Sequence, residues 1–423
     1  MKRAAFLACA AVVATLMAAG VVSAQTEDGI ERDRRIGEVP LEGDETRVGF
    51  VPGEVVVETQ DGEYEIREVD ARSLGAVSEA AEKIEARNPA VEEAGPNYRY
   101  RTQFVPNDEW FDFQPANPEL PQGQYWLRAI RAPGAWNDSR GDGVKIGVVD
   151  SGWQLDHPDL VSKVAGQRDF VADPPDDEAE GYDYHGTSVA GVAAAQTDDG
   201  EGVASVGFNA RFVMAKACTK TCRTVDIAEA TDWLAREQGV KIINLSFGAL
   251  YADDSPPDAI LGDAIRRAQK AGALVVAGAG NDGVRTDTDP ATTAPAFYPA
   301  CFDGVLGVGA LNVAGARWDR SNYGPCVDLV APGEKVLTTF DKNDPILQAR
   351  EYAYVNGTSF AAPQVAGVAA LIEAKNEALD AEAITRRVQN RATDLGVPGR
   401  DEEYGHGLLN ARCSVTPGKY DDC

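Results

Sequence analysis

The feature that most constrains this chain is an alternation that begins at Gly143. From there, short apolar runs bounded by Gly, Asn, Asp or Pro alternate with segments of helical spacing. Strands that are apolar at nearly every residue belong in a sheet covered on both faces, and the helices between them supply the crossovers that parallel strands need. The pattern predicts an α/β protein with a mostly parallel central sheet between two helical layers. Strands are predicted at residues 144–149, 211–217, 240–245, 273–277, 305–311 and 328–333. Helices are predicted to open at His185 and to cover 226–238, 257–270, 359–374 and 381–392. With 423 residues there is room for that core and for a second domain.

Ligands in such sheets bind beyond the carboxyl ends of the strands. Asp150 follows the first strand, Ser246-Phe247-Gly248 another, and Gly278-Ala279-Gly280-Asn281 a third. His185 and Ser359 stand where helices open. Taken singly, each has an ordinary explanation: Asp and Asn as turn residues, His as a structural side chain, Ser as an N-cap. Taken together they are a carboxylate, an imidazole and a hydroxyl. A serine hydroxyl is a weak nucleophile until a base activates it, and a helix N-terminus favours a developing anion.

Four motifs carry a family resemblance: Val148-Val149-Asp150-Ser151-Gly152, His185-Gly186-Thr187, Ala279-Gly280-Asn281 and Gly357-Thr358-Ser359. In this order they resemble the subtilisin-like serine proteases, across roughly residues 104–411. Pro106-Asn107-Asp108 also matches the N-terminus of thermitase-like members. The resemblance implies a three-layer subtilisin-like fold and a secreted endopeptidase. Ser359 would attack the scissile carbonyl, His185 would carry the proton, Asp150 would hold the imidazole, and Asn281 would donate to the oxyanion. The chain departs from the family after these motifs. Ser188 stands where a His is usual, and Phe360-Ala361-Ala362-Pro363-Gln364 replaces the usual Met, Ala, Thr, Pro, His.

By the same resemblance Ser246-Phe247-Gly248 and Gly278-Ala279-Gly280 are the walls of the pocket for the side chain before the cleaved bond. Such small residues suggest room for a large apolar or aromatic side chain, and nearby Asp282 would favour a basic one. Residues 217–223 match the edge on which extended substrate adds as a strand. Calcium is the implied cofactor. Its ligands would be Asp108, Asp159 and Asp199 through side chains, and Gln196, Glu201 and Val203 through carbonyls, an all-oxygen set suited to that ion. His157 and His406 are expected to be structural. Two rival readings are a catalytically silent peptide-binding homologue and a peptide ligase or macrocyclase that passes the acyl-enzyme to an amine.

The start of the chain reads as export machinery. Met1-Lys2-Arg3, an apolar Ala-rich run and Val22-Ser23-Ala24 form a signal peptide over residues 1–24. Residues 25–103 follow as an expected propeptide, flexible at first and folded over about 48–103 as a small α+β, ferredoxin-like unit. It has a strand at 53–58, a helix at 73–87 and a strand over 90–101. The resemblance makes it an intramolecular chaperone and inhibitor, with cleavage between about 100 and 107. The peptidase domain is expected over 104–412 and a tail over 413–423. Of seven cysteines Cys9 falls in the leader, and spacing favours Cys218 with Cys222, Cys301 with Cys326, and Cys413 with Cys423. A net charge of −27 argues against a nucleic-acid partner. Polypeptide substrates, a monomer, and a secreted or periplasmic product free of the membrane complete the expectation.

Overall fold

The computed structural model describes residues 49–99, 104–171, 176–251, 256–289, 291–344, 350–419 and 423. The expected signal peptide, the start of the propeptide and residues 100–103 lie outside the described residues. The chain divides between Gln103 and Phe104 into two compact units.

The leading unit contains β1 (Gly49–Thr59), β2 (Tyr64–Glu68), α1 (Leu74–Arg87) and β3 (Val91–Arg99). Its strands form an antiparallel sheet in the order β2-β1-β3. Helix α1 starts because Ser73 Oγ accepts from Ala76 N, and its apolar stripe places Val77 and Ala81 on Val55, Val57 and Val91. Strand β2 was not anticipated: the sequence Tyr-Glu-Ile-Arg-Glu offers one weak alternation, and the strand is mostly exposed.

The larger unit opens with two short helices, α2 (Tyr125–Ala129) and α3 (Ala132–Trp136). It continues through β4 (Lys145–Asp150), α4 (Pro158–Val161), β5 (Val164–Asp169), α5 (Tyr184–Ala194), β6 (Arg211–Lys216) and α6 (Thr224–Arg236). Next come β7 (Ile242–Leu245), β8 (Ala249–Tyr251), α7 (Ala259–Lys270), β9 (Leu274–Gly278), β10 (Ala296–Tyr298), β11 (Val305–Leu311) and β12 (Leu329–Pro332). The unit closes with β13 (Val336–Thr339), β14 (Tyr352–Val355), α8 (Thr358–Lys375), α9 (Ala381–Asn390) and α10 (Ala411–Val415). Seven strands form one parallel sheet in the order β12-β11-β9-β7-β4-β6-β5.

Successive strand residues point to opposite faces, so the sheet builds two cores. Val148, Phe212, Met214, Ile242 and Val276 face α5 and α8. Their neighbours Val149, Val213, Ala215, Ile243 and Val275 face α6 and α7. Helix α8 is buried on nearly all sides, which its run of Ala, Gly and Val permits. A Cβ at Gly367 would come within 2.6 Å of Val206 Cβ, so this helix needs the missing side chain to approach its neighbour. The three expected disulfides are present. Among the described residues no helix is long and apolar enough to cross a membrane.

Candidate active site

Four loops at one end of the parallel sheet, with the starts of α5 and α8, gather the residues singled out above. Asp150 ends β4 and is buried. Its Oδ1 accepts from Ser151 N at 2.7 Å and pairs with His185 Nδ1 at 2.8 Å. Its Oδ2 is buried with no hydrogen-bond partner among the described residues, so Oδ1 takes both bonds. His185 is the second residue of α5, which Asp183 caps by accepting from His185 N. The same Asp183 oxygen accepts from Ser151 Oγ, and Ser151 Oγ in turn accepts from Gly186 N. The imidazole is therefore clamped from both strand and helix. Burial opposes its protonation, but the charge and hydrogen bond of Asp150 outweigh that, with Asp183 adding to them. The His185 pKa is raised.

Ser359 does not cap its helix. Gly357 holds the N-cap position of α8 with φ +148°, a backbone region that favours glycine, and Ser359 is the second helical residue. A second feature frees this serine from ordinary helical bonding. Pro363, four residues on, has no N–H to give to the Ser359 carbonyl. That carbonyl instead accepts from Ser246 Oγ at 2.8 Å, while Ser359 Oγ donates to Ser246 O at 2.9 Å. Asn244 Nδ2 donates to Ser246 Oγ at 2.8 Å and so fixes which way that hydroxyl points. The single Ser359 proton is thus on Ser246 rather than on His185. The imidazole packs on the next residue, Phe360, with ring centroids 5.5 Å apart.

Asn281 follows the glycine turn after β9. Its Oδ1 accepts from Thr358 N and Thr358 Oγ1, which turns Nδ2 the other way. A Cβ placed on Gly357 would lie 3.4 Å from Asn281 Nδ2 and 3.6 Å from Ser359 N. Two N–H donors therefore flank one small space beside Ser359. Thr358 Oγ1 also accepts from Gly280 N, tying the turn to the helix start.

The expected pocket walls, Ser246-Phe247-Gly248 and Gly278-Ala279-Gly280, lie just after β7 and at the end of β9. Gly248 and Gly280 would both direct a Cβ at the ring of Phe297, from β10. Asp282 is exposed, and its Oδ2 accepts from Asn322 Nδ2. Phe297, Asn322, Asn244, Thr358 and Asp183 were not singled out in the sequence. Only two had a visible signal: Asp183 as an Asx cap two residues before His185, and Thr358 inside the Gly-Thr-Ser motif.

The expected calcium ligands lie around the loop after α5. Asp108 and Asp159 are buried, Gln196 is half-buried, Val203 is buried, and Asp199 and Glu201 are exposed. Asp159 accepts from Val203 N at 2.8 Å and from Tyr352 OH at 3.0 Å, and Asp108 accepts from Asp198 N. Burial pushes the Asp108 pKa up to about 6 and the Asp159 pKa up to about 7, and repulsion from Asp199 adds to both. Among the described residues no three His, Cys, Asp or Glu side chains converge closely enough to hold a metal ion. The fit to a cation is therefore electrostatic: two buried carboxylates repel each other, and a hard divalent ion would relieve that repulsion.

The subtilase family model matches residues 141–407. The chain is 31% identical over 423 residues to a thermophilic serine proteinase of Bacillus sp. (strain AK1), covering 94% of this chain and 95% of that one. It is 33% identical to thermitase of Thermoactinomyces vulgaris, covering 72% and 99% respectively. It is 32% identical to halolysin of Haloferax mediterranei, covering 98% and 76%. Among solved structures, proteases from Pseudoalteromonas arctica superpose with a TM-score of 0.62 at 28% identity, covering 73% of this chain and 98% of theirs. The sequence match over the sheet and the shared fold lead to one conclusion: this chain belongs to the subtilase family of serine peptidases.

Proposed function

We propose that the chain is an exported serine endopeptidase made as a self-processed zymogen, with Asp150, His185, Ser359 and Asn281 as its catalytic residues. The observation that carries this reading is the 2.8 Å Asp150–His185 pair, whose imidazole packs on Phe360, the residue after Ser359 on the first turn of α8. With Nδ1–H held by Asp150, neutral His185 presents Nε2 as a base. Rotation about Cα–Cβ moves the Ser359 proton from Ser246 O to that nitrogen. Ser359 Oγ then bonds the scissile carbonyl carbon, and the carbonyl oxygen becomes an oxyanion beside Asn281 Nδ2 and Ser359 N–H. Protonated His185 gives its proton to the leaving amine. Water, deprotonated by His185, then hydrolyses the acyl-enzyme.

Residues 25–103 serve as the propeptide, removed between about 100 and 107, and residues 1–24 as the signal for export. Asp108, Asp159, Asp199, Gln196, Glu201 and Val203 hold calcium when it is bound. The ion supplies charge compensation to Asp108 and Asp159 and takes no part in the chemistry.

Casein digestion tests the reading. The wild-type chain releases fragments in calcium buffer and Ser359→Ala does not. Equal absence of fragments from both, after the leading unit has been removed, would overturn hydrolysis and leave a silent peptide binder. Joining of casein fragments to an added amine peptide in place of their release would identify a ligase. Mass spectrometry of the self-processed N-terminus locates the maturation site.

A further inference from the structure

The walls of the substrate pocket, Ser246-Phe247-Gly248 and Gly278-Ala279-Gly280, are small in the sequence and suggest room for a large side chain. The structure fills that room from within. A Cβ built on Gly248 would lie closer than 3.0 Å to Cε1 and Cζ of Phe297. A Cβ built on Gly280 would lie 2.7 Å from Cδ2 and Cε2 of the same ring. The first wall therefore meets the Cε1–Cζ edge and the second wall the Cδ2–Cε2 edge, two different edges of one ring. The end of one ring abuts both glycines.

Several contacts hold it there. Strand β10 pairs with β8 in register, with Phe297 opposite Leu250 and Tyr298 opposite Ala249. The end of the first wall is therefore fastened to the strand that carries the ring. Phe297 N donates to Cys301 Sγ at 3.2 Å, within the Cys301–Cys326 disulfide. Phe297 itself is 8% exposed and packs with Leu245, Ala277 and Ala300 in the core on the α6 and α7 side of the sheet. Swinging it out would empty a packed site.

We infer that Phe297 closes the depth of this pocket and makes the enzyme select small residues, Ala, Ser or Gly, immediately before the cleaved bond. The inference rests on the serine peptidase reading above and narrows its substrate class to polypeptide segments rich in small side chains. A Phe or Leu at that position would have to displace the ring or stay outside the slot.

The test uses the mature wild-type enzyme and two chromogenic peptides that differ only in Ala or Phe before the scissile bond. The expected result is kcat/KM for the Ala peptide about a hundredfold above that for the Phe peptide, the scale set by one to two wrongly sized groups in a rigid pocket. Phe297→Ala is expected to raise the Phe-to-Ala ratio by about the same factor, a change that a general loss of folding does not produce because both peptides report on one enzyme. Wild-type cleavage of the Phe peptide as fast as the Ala peptide overturns the inference and leaves the peptidase reading standing. Cleavage of neither peptide above the Ser359→Ala background overturns both. The wild-type ratio decides the matter even if the variant does not fold.

Discussion

Replacing Ser246 by Ala removes a hydrogen bond whose existence depends on a proline 117 positions away in sequence. The Ser359 carbonyl lacks its helical donor because Pro363 has no N–H, and Ser246 Oγ is the substitute at 2.8 Å. Leaving a largely buried carbonyl unpaired costs about 1–3 kcal/mol, and Ser359 is half-exposed, so about 1–2 kcal/mol is expected. In a domain of this size that loss lowers Tm by about 1.5–3 °C. The measurement is thermal unfolding of the full chain carrying Ser359→Ala, which keeps the carbonyl and prevents self-digestion. Pro363→Ala is the control. It returns an N–H four residues after Ser359, so the helix itself can satisfy the carbonyl. In that background Ser246→Ala is expected to cost about 1 kcal/mol less, because only the loss of the Asn244 Nδ2 acceptor remains, giving a coupling of about 1 kcal/mol between the two sites. Equal losses in both backgrounds would refute the argument, because the hydroxyl would then be stabilising something other than the orphaned carbonyl.

Other outcomes follow from the same geometry. The His185 pKa is raised, and in the proposed mechanism it is the base and must be neutral, so the acid limb of kcat/KM is expected above the ordinary histidine value of about 6.5. Asp183→Asn keeps the helix cap and the Ser151 bond but removes a negative charge. It disfavours imidazolium, so the limb is expected to move to lower pH, and a limb that stays put would remove Asp183 from that role. Chelation of calcium is expected to lower Tm, with restoration by added calcium and a much smaller effect in Asp159→Asn, all read by thermal unfolding. Protons compete for Asp108 and Asp159, whose pKa values stand at about 6 and about 7. The stabilisation by calcium is therefore expected to grow as pH rises across that window.

The sheet was legible because its strands are apolar at almost every position and its helices carry caps such as Asp258 and Asp380. Helices α6 and α8 fall within two residues of their predicted bounds. Elements without periodicity were not legible. Strand β5 reads Val-Ala-Gly-Gln-Arg-Asp at the sheet edge, where half-exposed residues need no apolar run. Strands β13 and β14 are only four residues each, too short for a clear alternation, and pair across a long intervening segment. At the site, the order of Asp150, His185 and Ser359 pointed to the chemistry, since each lies beside a strand end or helix start. Their supports are partners far away in sequence: Ser246 for the Ser359 carbonyl, Thr358 for Asn281, and Phe297 against Gly248 and Gly280. Small wall residues announce space, but only tertiary structure tells what occupies it.

The parallel sheet has a consequence in time as well as in space. Asp150, His185, Ser246, Asn281 and Ser359 come from separate strand ends and helix starts, and neighbours such as β4 and β7 are joined only through long crossovers. Such non-local pairings are slow to form, because the entropy of each closed loop is lost before its contacts are gained. No fragment of this chain carries the full set of these residues until α8, near the C-terminal end, has docked. A half-folded molecule, the species most vulnerable to cutting, is therefore also one without a blade. The order of assembly keeps each chain from cutting before it has itself folded.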